Sequence, residues 1–158
     1  MGKPVLTPSE VPTTLGEGDA PVVNVPLDIG GRTIHVTTVS VGNPHAVTFV
    51  DDVKNFPIET VGPHVESHPA FPRRINTEFI EVLSDHEINF RVWERGAGET
   101  LACGTGASAA TVACVLNGKT GRRVLVHLPG GDLDIEWSEA DDHVYMTGAA
   151  AEVFEGDV

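Results

Sequence analysis

Gly104-Thr-Gly-Ala-Ser-Ala-Ala-Thr-Val-Ala-Cys-Val-Leu116 is the stretch of this sequence that decides the fold. Its side chains are small and mostly apolar all round, whereas a helix on a protein surface shows a polar stripe. Asn117-Gly118 follows the stretch and is typical of a helix end, because these residues tolerate a positive φ. The pattern therefore predicts a helix over residues 104–116 that is buried on every side.

Short segments rich in β-branched residues lie on both sides of this helix in the sequence, and each predicts a strand. The predicted strands are residues 21–25, 33–41, 47–50, 76–83, 88–94, 124–128, 133–137 and 144–147, with turns at Gly30-Gly31 and Gly130-Gly131. A short second helix is expected over residues 58–66. One buried helix among about eight strands favours the α+β class, with a mostly antiparallel or mixed β-sheet wrapped around one buried central helix. The length suggests a single domain over residues 1–158.

The composition argues against several classes of protein. Lys plus Arg number 10 against 23 for Asp plus Glu, so the formal net charge is -13. A protein with this charge would repel nucleic acid and anionic lipid, so neither is an expected partner. The His residues are scattered without the spacing of metal ligands, so no metal is expected. Neither a targeting segment nor a disulfide framework is recognisable, which favours a cytoplasmic protein.

Cys103 comes immediately before the predicted helix, and Gly104, Thr105 and Gly106 form its first turn. The first backbone N–H groups of a helix lack internal partners, and the helix dipole favours negative charge there. Glycines also let an anion approach the backbone closely. The helix start could therefore hold a carboxylate and lower the pKa of the thiol from about 8.5 into the range of about 3.5–7.5. Such a thiolate could take a proton from the α-carbon of a bound amino acid.

The alternative for any cysteine is that it is buried and packs as a small hydrophobic residue. The flanking glycines at a helix start weigh against this alternative for Cys103. Cys114 lies in mid-helix among Ala and Val, and we expect it only to pack. Roughly 16 Å of helix separates the two residues at about 1.5 Å per residue. An acid and a base must both reach the same carbon atom, so Cys114 cannot be a second catalytic group.

Several motifs resemble those of the diaminopimelate epimerases, in the family's order and over nearly all of the chain. They are Gly42-Asn43-Pro44-His45, Asn76-Thr-Glu-Phe79, Glu94-Arg95-Gly-Ala-Gly-Glu-Thr-Leu-Ala-Cys-Gly-Thr-Gly-Ala107, Leu128-Pro-Gly-Gly-Asp-Leu133, Tyr145-Met-Thr-Gly148 and Val153-Phe154-Glu-Gly156. The resemblance implies a cofactor-independent isomerase that interconverts LL- and meso-diaminopimelate by thiol acid–base chemistry, in lysine and peptidoglycan precursor biosynthesis.

In that family each of two similar domains supplies one Cys and one central helix, and the substrate lies between them. The resemblance implies that this chain corresponds to the C-terminal half and that Cys103 is one catalytic acid and base. It implies substrate binding by Asn43, Asn76, Glu94, Arg95, Gly104 and Thr105, and adjustment of the thiol pKa by His45 and Glu94. The expected partners are diaminopimelate and either the N-terminal domain or a second copy of the chain. Without the N-terminal half, little activity is expected.

Two other hypotheses remain open beside the isomerase half. One is a stand-alone binding module of the same fold that holds a small anion or an amino acid. The other is a related isomerase of the proline racemase kind. Asn76 and the Glu94-Arg95 pair favour a substrate with a second charged end. From the residues alone, however, Asn43 before a proline predicts only a turn, and Glu94-Arg95 could be a surface ion pair worth under about 1 kcal/mol.

Overall fold

A computed structural model describes residues 1–150 of the chain. Nine strands and two helices follow one another within them. Their order is β1 Val25–Asp28, β2 Thr33–Ser40, β3 Pro44–Phe49, α1 Ile58–Glu66, β4 Asn76–Ser84, β5 Glu87–Glu94, β6 Gly98–Thr100, α2 Gly104–Leu116, β7 Arg123–Leu128, β8 Gly131–Trp137 and β9 Val144–Gly148. Both helices have the bounds that the sequence predicts.

The strands form one mixed sheet in the order β1-β2-β3-β4-β5-β7-β8-β9, with β6 paired to β5. Neighbouring strands are antiparallel except in the pairs β3–β4 and β5–β7, which are parallel. Strands from both ends of this order contact α2, namely β2, β3, β4, β7, β8 and β9. The sheet therefore curves around the helix, and the predicted α+β class with one buried central helix is confirmed.

The sequence of α2 suits its position inside the sheet. Every residue from Gly106 to Cys114 is buried. The two hydroxyl groups in this stretch are satisfied within the helix, because Ser108 donates to the Gly104 carbonyl and Thr111 donates to the Ala107 carbonyl. Such bonds remove the cost of an unpaired hydroxyl in a core. The helix can thus be surrounded by apolar side chains without leaving a side-chain polar atom unpaired.

The shorter helix, α1, packs on the other side of the sheet, with a second cluster of apolar side chains. The close approach of α1 to β5 depends on Gly62, because a β-carbon at this position would lie 2.5 Å from Cγ of Trp93. No real β-carbon makes so short a contact, so only glycine allows α1 to lie against β5 at this point. Trp93 directly precedes the Glu94-Arg95 pair, and this packing therefore fixes the backbone from which that pair extends.

Three strands depart clearly from the sequence-based predictions, and the others agree with them within two residues at each end. The strand predicted at residues 21–25 is wrong: β1 starts at Val25 because Asn24 has a φ of 53° and turns the chain. β3 begins at Pro44 rather than at residue 47, because residues 44–47 all pair with β2. β6 was not predicted, because its short segment has glycine on its first position and no alternation of apolar residues.

The family resemblance also implies a last strand near residues 149–154. Most of that range and the motif at Val153 to Gly156 lie outside the described residues. Within residues 1–150, neither helix has the length and apolar character needed to cross a membrane.

Candidate active site

Cys103 is the N-cap residue of α2, in an extended conformation with φ of -145° and ψ of 103°. The N–H of Gly106 donates a hydrogen bond to its sulfur at 3.3 Å, and Thr105 Oγ1 lies 3.4 Å from the same atom. The residue is 8% exposed, so the sulfur is largely shielded from water. The local sequence thus places a thiol where a helix offers unpaired N–H groups, as predicted.

A hydrogen-bonded chain of side chains leads away from Cys103 into the core. Asn43 Nδ2 donates to Thr105 Oγ1 at 3.3 Å, and Asn43 Oδ1 lies 2.9 Å from His45 Nε2. On its other side, His45 Nδ1 lies 2.6 Å from Glu78 Oε1. The structure therefore brings Asn43, His45 and Thr105 together with Cys103, as the resemblance implies. Sequence reasoning missed Glu78, which lies within the quoted Asn76–Phe79 motif but was given no role.

Asn76 belongs to a neighbouring group rather than to this chain of side chains. It is buried; its Oδ1 accepts from the Arg95 N–H at 2.9 Å, and its Nδ2 donates to the Pro44 carbonyl at 2.9 Å. The Arg95 guanidinium is exposed and donates to the Arg73 carbonyl at 3.0 Å. Asn76 thus holds the backbone of Arg95 in place, and its direct contact with a substrate stays a prediction.

Glu66 is a second residue that sequence reasoning missed. Its buried carboxylate accepts from Trp93 Nε1 and from the Gly96 N–H, each at 2.8 Å. These two bonds lie on either side of the Glu94-Arg95 pair and fix the turn that follows β5. The sequence gives no signal for this role, because Glu66 ends a helix in a loop-rich segment far along the chain from the turn.

The surroundings of Cys103 act on its pKa in opposite directions. Burial raises the pKa of the thiol, the hydrogen bonds from Thr105 and from the Gly106 N–H lower it, and the charges of Glu78 and Glu94 raise it. The net direction is upward. This direction is opposite to the lowered thiol pKa that the helix start alone predicts, because burial outweighs the hydrogen bonds there. Glu94 is itself half-buried and accepts a hydrogen bond from the Thr100 hydroxyl.

Cys114 differs from Cys103 in its place in the helix and in the extent of its burial. It is completely buried in the middle of α2, in the apolar cluster that surrounds the helix. Burial raises the pKa of its thiol to about 12. A thiol of this kind is protonated at neutral pH and out of reach of solvent, so Cys114 serves only to pack.

Alkylation should therefore distinguish the two thiols. We expect iodoacetamide to label Cys103 slowly in the folded chain, with a pH midpoint above the ordinary value of about 8.5, and to leave Cys114 unlabelled until the protein unfolds. Mass spectrometry of the two cysteine peptides over a range of pH measures both rates. Equal labelling of the two residues, or a Cys103 midpoint below about 7, would contradict this account of the site.

The described part of the chain shows no metal cluster, and its best-defined cavity lies away from Cys103. Residues 1–150 contain no group of three His, Cys, Asp or Glu side chains close enough to share a metal ion. A cavity of about 610 Å³ lies elsewhere, beside Arg32, His35 and Asp52, and none of the predicted site residues line it. The start of α2 instead adjoins exposed apolar side chains, Leu101 at 71% and Met146 at 43% exposure. Met146 Sδ lies 3.0 Å from where a Gly104 side chain would begin.

Comparison with known proteins gives a family. The family model described as diaminopimelate epimerase matches residues 37–153. Diaminopimelate epimerase 1 of Nostoc sp. is 58% identical over 156 residues, and the alignment covers 99% of this chain and 56% of the relative. The diaminopimelate epimerase of Moorella thermoacetica is 58% identical over 157 residues, with the same two coverages. The chain thus spans about half the length of the curated relatives it matches.

Solved structures are less similar. A phenazine biosynthesis protein of the PhzF family from Enterococcus faecalis is 16% identical with a TM-score of 0.49, over 62% of this chain and 35% of that one. A predicted epimerase from Pseudomonas aeruginosa is 17% identical with a TM-score of 0.47, over 81% and 48%. The assignment rests instead on the sequence matches, which include the whole Cys103 site. By that measure, the chain belongs to the diaminopimelate epimerase family.

Proposed function

We propose that this chain is the C-terminal half of a diaminopimelate epimerase and supplies one of two acid–base groups that invert an α-carbon. The observation that carries the proposal is Cys103 at the N-cap of a buried helix. The Gly106 N–H donates to the Cys103 sulfur, and the Ala107 N–H donates to the Cys103 carbonyl. The N–H groups of Gly104 and Thr105 are then the ones left to bind the carboxylate of the reacting carbon.

The raised pKa of the Cys103 thiol suits the acid in such a pair. Inversion requires that a base remove the proton from one face of the carbon while an acid delivers a proton to the other face. A protonated Cys103 would deliver the proton in one direction of the reaction and, as thiolate, remove it in the reverse direction. The group on the opposite face would come from the other domain. Neither direction needs a cofactor, because the helix start would stabilise the charge that develops on the carboxylate.

The second charged end of the substrate would meet Glu94 and Arg95. The Glu94 carboxylate is half-buried close to Cys103, and the next residue, Arg95, has an exposed guanidinium that donates to the Arg73 carbonyl. A carboxylate pairs with an ammonium group and a guanidinium with a carboxylate, which matches the distal amino-acid end of diaminopimelate. Asn76 and Glu66 accept hydrogen bonds from backbone N–H groups of this turn and hold it in place. Glu94 and Arg95 would therefore bind the distal end of the substrate without large rearrangement.

A partner domain would cover the open side of the site. The relatives are longer than this chain, and the exposed Leu101 and Met146 lie beside the start of α2. Large apolar side chains around a polar centre are typical of a protein interface. We propose that they meet the N-terminal half or, in its absence, a second copy of the chain. A cytoplasmic location agrees with this biosynthetic role.

Turnover of alternative substrates tests the proposal. A full-length protein in which the N-terminal half of the Nostoc relative precedes this chain should convert LL-diaminopimelate to a mixture of LL and meso forms, measured by chiral chromatography. L-norleucine, which lacks the second charged end, should be converted poorly, and L-proline should not be racemised. Binding of diaminopimelate without conversion would support the binding module instead, and racemisation of proline would support the proline racemase-like alternative.

A further inference from the structure

Glu78 is a fully buried acidic residue to which the proposed chemistry assigns no role. On β4 it faces the same side of the sheet as Ile80, which packs in the cluster around α2. Its Oε1 lies 2.6 Å from His45 Nδ1, and its Oε2 is buried without a hydrogen bond to any residue of the described range 1–150. An ionised carboxylate would leave a charged oxygen unpaired in the core, at a cost that a carboxylic acid largely avoids.

The hydrogen bonds between Glu78 and Cys103 have a definite direction. Asn43 donates its Nδ2 to Thr105, so its Oδ1 is turned toward His45 Nε2. An amide oxygen can only accept, and His45 Nε2 must therefore carry a hydrogen. Nδ1 then either accepts from a Glu78 carboxylic acid or carries a second hydrogen opposite a carboxylate. In both cases Glu78 and His45 share one proton more than a carboxylate and a neutral imidazole would hold.

The other end of the chain reaches the sulfur. Thr105 Oγ1 accepts from Asn43, so its own hydrogen is free to point at Cys103 Sγ, 3.4 Å away. If His45 Nε2 carried no hydrogen, the Asn43 side-chain amide would rotate so that its Nδ2 donates to Nε2. The Thr105 hydroxyl would then donate to Asn43 Oδ1, and the sulfur would lose that donor.

We propose that Glu78 is a positioning residue for Cys103. The proton it shares with His45 keeps His45 donating to Asn43, Asn43 donating to Thr105, and Thr105 donating to the sulfur. The inference deepens the proposed function, on which it rests for the acid–base role of Cys103. It adds that a buried carboxyl behind the site, which does not touch the substrate, sets which way the Thr105 hydroxyl points.

The shared proton also keeps a negative charge away from the thiol. A β-carbon at Gly106 would lie 2.9 Å from Glu78 Oε1 and 3.2 Å from Cys103 Sγ, so the two groups face each other across a residue without a side chain. The titratable groups around Glu78 are His45 on β3, Glu94 at the end of β5, and Cys103. Burial raises the pKa of the Glu78 carboxyl, His45 lowers it and Glu94 raises it. Because the shared proton leaves the Glu78–His45 pair without net charge, it limits how far Glu78 raises the pKa of the Cys103 thiol.

Two measurements on the 158-residue chain test this inference, and neither needs substrate or turnover. Nitrogen-15 NMR of the imidazole ring, assigned with His45→Gln, reports which ring nitrogen of His45 carries hydrogen. The pH profile of Cys103 alkylation reports the thiol in the wild type, Glu78→Gln and Glu78→Leu. Glu81→Gln is the matched control, because it makes the same acid-to-amide change on the opposite face of β4.

We expect hydrogen on His45 Nε2 in the wild type. Gln can still donate to Nδ1, so Glu78→Gln should keep both this hydrogen and the thiol reactivity. Leu cannot, so Glu78→Leu should let the Asn43 amide turn over and cost the sulfur its Thr105 donor. Because the Glu78–His45 pair carries no net charge, removing the carboxyl should do little in the opposite direction. The alkylation midpoint should therefore move upward by about one pH unit, a roughly tenfold lower rate at a fixed pH below the midpoint. A neutral His45 with hydrogen only on Nδ1 would overturn the inference even if Glu78→Leu does not fold. An unchanged midpoint in folded Glu78→Leu would also overturn it, whether or not the full-length protein epimerises diaminopimelate.

Discussion

Cys103→Ser is expected to lower the rate of diaminopimelate epimerisation by the full-length protein by a factor on the order of 10²–10⁴, the contribution of a well-placed acid or base. Serine keeps the N-cap of α2, because its hydroxyl can accept from the Gly106 N–H as the sulfur does. The fold should therefore survive the change. A hydroxyl group holds its proton far more tightly than a thiol, so it cannot exchange that proton with an α-carbon near neutral pH.

Cys114→Ala is the matched control for this variant. It removes the other thiol of the same helix, at a position that is buried in the apolar cluster. We expect some loss of thermal stability but a kcat within about twofold of the wild type, since no reacting group is changed. Measurements of kcat and of the midpoint of thermal unfolding on both variants separate chemistry from folding. A large loss of kcat at Cys114, with little loss at Cys103, would reverse the assignment of the two residues.

The 158-residue chain by itself is expected not to epimerise diaminopimelate at a useful rate. Inversion needs groups on both faces of the α-carbon, and in the described chain Cys103 is the thiol at the site, with Cys114 roughly 16 Å along the helix. The absent acid or base costs about 10²–10⁴ in rate. The absent helix start of the other domain costs about 10²–10³ more as a lost electrostatic donor. These losses need not multiply, but together they leave little turnover.

Supplying the other half is the complementary experiment. We expect the separately produced N-terminal half of the Nostoc relative to restore epimerisation if it docks on the surface that carries Leu101 and Met146. Leu101→Asp should weaken this restoration without unfolding the chain, because the side chain is already 71% exposed. Equal restoration with and without that change would place the contact surface elsewhere. Sedimentation of the chain alone would show whether a second copy occupies the same surface.

The sequence predicts those parts of the structure that depend on local pattern. α2 is predicted because small apolar residues all round a helix have only one stable environment, and α1 is predicted within the same bounds. Asn43, His45, Thr105 and Cys103 are predicted as one site through their family motifs, and the structure brings them into one hydrogen-bonded chain.

The features that sequence reasoning missed depend on contacts between distant segments. The helix start at Cys103 suggests a lowered thiol pKa, but the opposite direction follows from burial and from Glu78 and Glu94, which come from other strands. Glu78 itself gives no signal, because an isolated acidic residue in a strand is usually at the surface. Its burial becomes visible only when β4 lies against α2. β1 begins later than predicted because Asn24 turns the chain, and the residues next to Asn24 in the sequence give no sign of that turn.

Deuterium incorporation by the chain alone tests the central claim, that Cys103 is one of two acid–base groups at an incomplete site. The chain and its Cys103→Ala variant are incubated with LL-diaminopimelate in deuterated water, and α-deuterium and stereochemistry are followed by mass spectrometry and chiral chromatography. The account predicts slow deuterium uptake with retention of the LL configuration, and none above background in Cys103→Ala. Rapid conversion to the meso form by the chain alone, or uptake that persists unchanged in Cys103→Ala, would contradict it.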